Sequence, residues 1–120
     1  MLVRNYLTMP SETEPSHDGI GEVRNTFVYN RQDFDSPLRF VIYCEIDPGN
    51  SIGNHRHGAN EEIYVILEGV GWMTVNGEAR EVGAGDVLLN KPGWEHGLEN
   101  RSDAVLKILV FEAALPQKSK

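Results

Sequence analysis

An all-β barrel or sandwich is the fold class this sequence predicts, and three observations carry the prediction. From Thr26 onward the apolar residues fall in short runs rich in Val, Ile, Leu, Tyr and Phe, the length of strands rather than helices. Explicit turn signals separate the runs: Pro48-Gly49, Asn76-Gly77 and Pro92-Gly93. Within several runs both alternating faces are largely apolar, as in Ile63, Val65 and Leu67 against Tyr64 and Ile66, so both faces need cover. A chain of 120 residues builds one such core.

Taken in order, residues 9–21 are rich in Ser, Glu, Pro and Gly and have no apolar period, which predicts an extended arm that wraps rather than packs. Strands are expected over residues 26–30, 38–46, 62–69, 71–77, 78–82, 86–90, 96–100 and 104–113. Asn76-Gly77 accepts the positive φ angles of a type I′ hairpin between the fourth and fifth of these. Asp86 reads as a turn residue bonding nearby amides. The resulting division is an N-terminal arm over residues 1–25, a barrel over 26–115 and a polar tail over 116–120.

Composition narrows the function. A net charge of -7 and a pI near 5.0 oppose nucleic acid and anionic membrane surfaces, both of which select a basic face. Nothing approaches the apolar run of about 18 residues that spans a bilayer, and the first residues lack a signal-peptide pattern. The single cysteine, Cys44, forms no intrachain disulfide, suits a reducing compartment and alternates with Ile42 and Ile46 like a core residue. The expectation is a cytoplasmic protein with a small-molecule partner.

Chemistry concentrates in the stretch GNSIGNHRHGANEEIYVILEG, residues 49–69. Residues two apart on a strand share a face, so His55 and His57 project into one space while Arg56 turns away. The adjacent carboxylates Glu61 and Glu62 face opposite sides, so one of them can join the pair. A third imidazole, His96, follows the Pro92-Gly93 turn. Three imidazoles and a carboxylate form a donor set for a divalent transition metal.

These residues resemble the two motifs of the cupins, small jelly-roll β-barrels. The first motif is glycine, five residues, His-x-His, three or four residues, glutamate, six residues, glycine, and Gly49, His55, His57, Glu62 and Gly69 match it. The second is matched by Gly85, Gly93, His96 and Asn100, with Lys91 where the pattern has proline and Pro92 just after it. The resemblance selects Glu62 over Glu61. It implies a single cupin jelly-roll and one divalent metal ion per subunit (Fe, Mn, Ni or Zn) held by His55, His57, Glu62 and His96. An octahedral ion with four protein ligands keeps two positions for a substrate. The implied function is a metal-dependent enzyme (dioxygenase, isomerase or lyase) acting on a small oxygen-rich molecule. The alternative is a binding or sensor module for a carbohydrate or carboxylate.

Tyr64 shares a strand face with Glu62 and is the candidate catalytic acid or base. Trp94 is placed at the pocket mouth or over its turn. His17, in the arm with no spaced partner, is expected to be solvated. The outward Leu109 and Phe111 need cover from the arm or a second subunit, and a homodimer is expected.

Overall fold

The structure, a computed structural model, describes residues 1–116; the predicted tail beyond Pro116 lies outside the described residues. The strands are β1 (Glu12–Glu14), β2 (Val23–Tyr29), β3 (Leu38–Ile46), β4 (Ser51–Arg56), β5 (Asn60–Glu68), β6 (Val70–Val75), β7 (Glu78–Gly83), β8 (Val87–Asn90), β9 (Glu95–Glu99) and β10 (Leu106–Ala114). One 3₁₀ turn, Arg31–Asp33, joins β2 to β3. Two antiparallel sheets, ordered β1-β2-β3-β10-β5-β8 and β4-β9-β6-β7, make the jelly-roll the sequence predicts.

The turn chemistry acts as read. Asn76 and Gly77 adopt φ of 49° and 81° and close the β6–β7 hairpin, the positive pair a type I′ turn needs. The Asp86 carboxylate accepts the Gly83 amide at 2.8 Å, a purely structural bond. Lys91 at the proline position leaves its turn closed, with the Trp94 amide donating to the Lys91 carbonyl at 3.1 Å.

Inward residues grade from apolar to polar along the barrel. On β10 the inward row runs Leu106, Ile108, Val110, Glu112; its neighbour β5 runs Ile66, Tyr64, Glu62, paired Ile108↔Ile66, Val110↔Tyr64 and Glu112↔Glu62. Ile46, Ile66, Met73, Leu98, Leu106 and Ile108 are fully buried at the apolar end. Each contributes about 1.5–3 kcal/mol of burial. The opposite end keeps its polar groups and becomes the site.

The arm departs from expectation: it joins the sheet and packs. β1 pairs with β2, Tyr6 stacks on Tyr43 at 4.1 Å between centroids, and the Ser16 carbonyl accepts the Gly53 amide at 2.9 Å. Two glycines permit that contact. A Cβ on Gly19 would stand 2.2 Å from the Ser51 carbonyl oxygen, and one on Gly53 would stand 2.0 Å from that of His17. Sequence patterning misses this because the arm is held by backbone bonds and missing side chains, not by apolar period. Gly19→Ala is therefore expected to detach the arm from β4, lowering unfolding stability by about 1–3 kcal/mol. Limited proteolysis read by mass spectrometry should show cleavage between residues 12 and 21 that the parent resists.

Candidate metal centre

β4 alone does not read as a strand by apolar alternation, yet it delivers the first two candidate ligands. Its register against β9 slips between Ile52↔Leu98 and His55↔His96, so one extra residue bulges out. Ile52 and His55, three apart, can then both point inward, and His57 follows on the same side just past the strand. Glu62 comes from β5 and His96 from β9.

The four side chains converge: one ligand atom from each of His55, His57, Glu62 and His96 lies within 4.8 Å of the others. His57 Nε2 and His96 Nε2 stand 3.2 and 3.1 Å from the same Glu62 oxygen. Adjacent ligands on an ion with bonds of about 2.1 Å sit about 3 Å apart, so the spacing fits a transition metal.

Tautomers fit as well. His55 Nδ1 lies 2.8 Å from the Gly53 carbonyl oxygen. His57 Nδ1 lies 2.5 Å from Asn60 Oδ1 and 3.3 Å from a Glu112 oxygen. These partners accept, so Nδ1 carries the proton and Nε2 keeps its lone pair. The Nε2 atom of His55 is buried without a hydrogen-bond partner among the described residues, as a group facing a cation would be, while that of His57 faces the Glu62 carboxylate.

Burial pushes the His55 imidazole down to about 4, keeping it neutral at physiological pH. Burial also pushes Glu62 upward, but its bonds with His57 and His96 outweigh this and hold it at about 2. The Glu62 contact raises His57. His55 and Glu62 are thus already in the ligating forms, neutral imidazole and ionised carboxylate, whereas His57 would give up its second proton to a cation taking its place beside Glu62.

Tyr64 is buried, with its hydroxyl 3.3 Å from His96 Nε2. Burial, then the Glu62 charge, holds the phenol well above its usual range, so it remains protonated. A half-open cavity of about 330 Å³ reaches both Glu62 and Tyr64 and is walled by β2, β3 and the arm. Cys44, raised to about 12 by burial, is one inert wall residue. Trp94 does not line this cavity; it borders a separate groove with Val75 and Leu88. Glu61, on the opposite face of β5, stays outside the cluster.

Two residues differ from the sequence reading. His17 is not a free, solvated side chain: its ring stacks on His55 at 3.5 Å between centroids and 9° between planes, carried there by the Gly19 and Gly53 contacts. Glu112 was missed. It is 5% exposed, lies 3.1 Å from Arg39 and touches His57. The signal was present, since the inward alternation Leu106, Ile108, Val110 continues to Glu112.

Three imidazoles and a carboxylate gathered at the polar end of a jelly-roll make a cluster that could hold a metal ion, on a fold of the cupin type. The Cupin domain family profile matches residues 42–112, and the chain belongs to that family. It is 31% identical over 110 residues to the oxalate-binding protein of Thermotoga maritima, covering 92% of this chain and 91% of that one. The crystal structure of a predicted oxalate decarboxylase from T. maritima superposes with a TM-score of 0.91 at 30% identity, covering 96% of this chain and 100% of that chain. A dimethylsulfoniopropionate lyase, DddW of Ruegeria pomeroyi, is 35% identical over 86 residues, 71% of this chain and 53% of the lyase.

Replacing His55, His57 or His96 by alanine is expected to abolish stoichiometric binding of Mn(II), Fe(II), Ni(II) or Zn(II) in calorimetric titrations. Under the same titration Glu62→Gln should weaken the metal by about tenfold or more, while Glu61→Gln and His17→Ala retain full stoichiometry.

Proposed function

We propose that this chain is a metal-dependent cupin enzyme that chelates a small carboxylate at His55, His57, Glu62 and His96 and uses Tyr64 as its proton donor. The observation that carries the proposal is a buried, protonated phenol sharing one cavity with the ligand Glu62. The names of the T. maritima relatives, one oxalate-binding and one a predicted oxalate decarboxylase, support a chelating carboxylate.

When bound, a divalent Mn, Fe, Ni or Zn ion would supply Lewis-acid polarisation of substrate oxygens or, for iron and manganese, redox chemistry. The chain's own residues do the rest. His55 and His57 are oriented through their Nδ1 protons, Glu62 contributes the charge, and Phe27, Phe40, Ile42 and Val110 form an apolar side of the cavity against which a substrate body can pack. Tyr64 holds its proton at the hydroxyl oxygen beside His96, available to a substrate atom in the cavity.

A pure binding module is the second reading, favoured by the name of the oxalate-binding relative. Spectral titration with oxalate and 2-keto acids, followed by product analysis in air and under nitrogen, separates the two. For the enzyme, Tyr64→Phe should leave chelation nearly unchanged and depress turnover by roughly a hundredfold. Oxygen-dependent products identify a dioxygenase, and oxygen-independent products an isomerase, lyase or decarboxylase. Tight binding with no product under any ion establishes the module instead.

The proposal also places the protein in the cytoplasm, where a lone buried thiol stays reduced, and makes it a homodimer. The support for the dimer is the outer face of β5 and β8, where Ile63 pairs with Leu89 and Val65 with Val87, the last 63% exposed. Val87→Glu is expected to convert a dimer to a monomer in sedimentation equilibrium without loss of metal.

A further inference from the structure

The cavity beside the metal centre is built for more than a two-carbon dicarboxylate. About 330 Å³ lies within the range of pockets for drug-sized ligands. One side of it is apolar, formed by Phe27 from β2, Phe40 and Ile42 from β3, Ile52 from β4 and Val110 from β10, and the arm closes the other with Glu14, Ser16 and His17. Oxalate has no apolar surface to set against the apolar side, so bound alone it would leave that side in contact with water.

On the β1–β2 side the cavity carries an acidic group. Glu14 and Asn25 line that side, joined by an amide-to-carboxylate bond of 2.9 Å from Asn25 Nδ2 to one Glu14 oxygen. No lysine or arginine lines the cavity among the described residues. A second anionic group on the ligand would therefore meet the Glu14 carboxylate with no lysine or arginine to offset it, the nearby polar groups being the Asn25 amide and the His17 imidazole.

Resting on the proposed metal site, we infer that the substrate is a monoanionic 2-oxo or 2-hydroxy acid with an apolar body, aryl or branched aliphatic, and no anionic group at its far end. The acid head chelates at the centre, the body fills the space between Phe27, Phe40 and Val110, and the far end reaches the Glu14–Asn25 pair. Specificity then lies in the wall, because every chelating acid presents the same head to the four ligands.

Calorimetric titration of the Mn(II)-loaded protein with pyruvate, phenylpyruvate, 2-oxopentanoate, 2-oxoglutarate and oxalate tests this. Phenylpyruvate is expected to bind about tenfold or more tighter than pyruvate, from the burial of its ring. Phe40→Ala should remove most of that ratio while changing pyruvate affinity by no more than about twofold. 2-Oxopentanoate should bind better than 2-oxoglutarate, and Glu14→Gln should narrow that gap without altering metal stoichiometry. Oxalate binding tightest, with ratios that neither Phe40→Ala nor Glu14→Gln moves, would overturn the inference and leave the chelation reading standing. If no acid binds the loaded protein, the chelation reading falls and the inference falls with it.

Discussion

The site depends on a break in strand parity. A regular β4 would place Ile52 and His55 on opposite faces, so either the core would lose Ile52 or the histidine pair would face solvent. The slip in the β4–β9 ladder between these residues removes the conflict. Gly53 lies in the slipped segment, and its missing side chain serves two further ends. Its carbonyl orients His55 through Nδ1, and its bare α-carbon lets the arm close over the strand.

Charge is the second constraint. Glu62 and Glu112 face each other across β5 and β10 inside the barrel, an arrangement that is unfavourable for like charges. Three features offset it. His57 lies between them, with Nε2 3.2 Å from Glu62 and Nδ1 3.3 Å from Glu112. Arg39 reaches Glu112 from the rim at 3.1 Å. A divalent cation among the four ligands would complete the compensation. Burial and the Glu62 charge raise Glu112, while imidazole contacts lower Glu62, so the two carboxyls are pushed apart in acidity. Of the two, Glu62 is the one that joins His55, His57 and His96 in the cluster that could hold a metal ion.

Much of this was legible in the sequence, and the remainder has physical reasons for being hidden. Apolar runs and Pro-Gly or Asn-Gly turns gave the jelly-roll because strand alternation and turn chemistry are local. Two motifs at fixed spacing gave the four candidate ligands, because the bulge between Ile52 and His55 sets a fixed count of residues from the Gly49 turn to the first histidine and strand alternation sets those that follow. Glu112 needed only one more step along the inward alternation Leu106, Ile108, Val110. His17 was different: its place on His55 follows from the close approach of Gly19 to the Ser51 backbone and of Gly53 to the His17 backbone, contacts between distant parts of the chain that no window of the sequence displays. β1 was hidden likewise, since its three residues are polar and are held by ladder bonds to β2.

This division also explains why the family is easier to recognise than the reaction. The four ligands, Tyr64 and Glu112 all fall within residues 42–112, the span that matches the cupin profile. Glu14, His17, Asn25, Phe27 and Phe40 all precede it and line the cavity or stack on its ligand. The family span therefore holds the four-residue cluster that could bind a metal ion and part of the cavity wall, Ile42, Ile52 and Val110. The segment ahead of it completes that wall with Glu14, His17, Asn25, Phe27 and Phe40, so the cavity is built from residues inside and outside the family span, and a family match alone does not fix its shape.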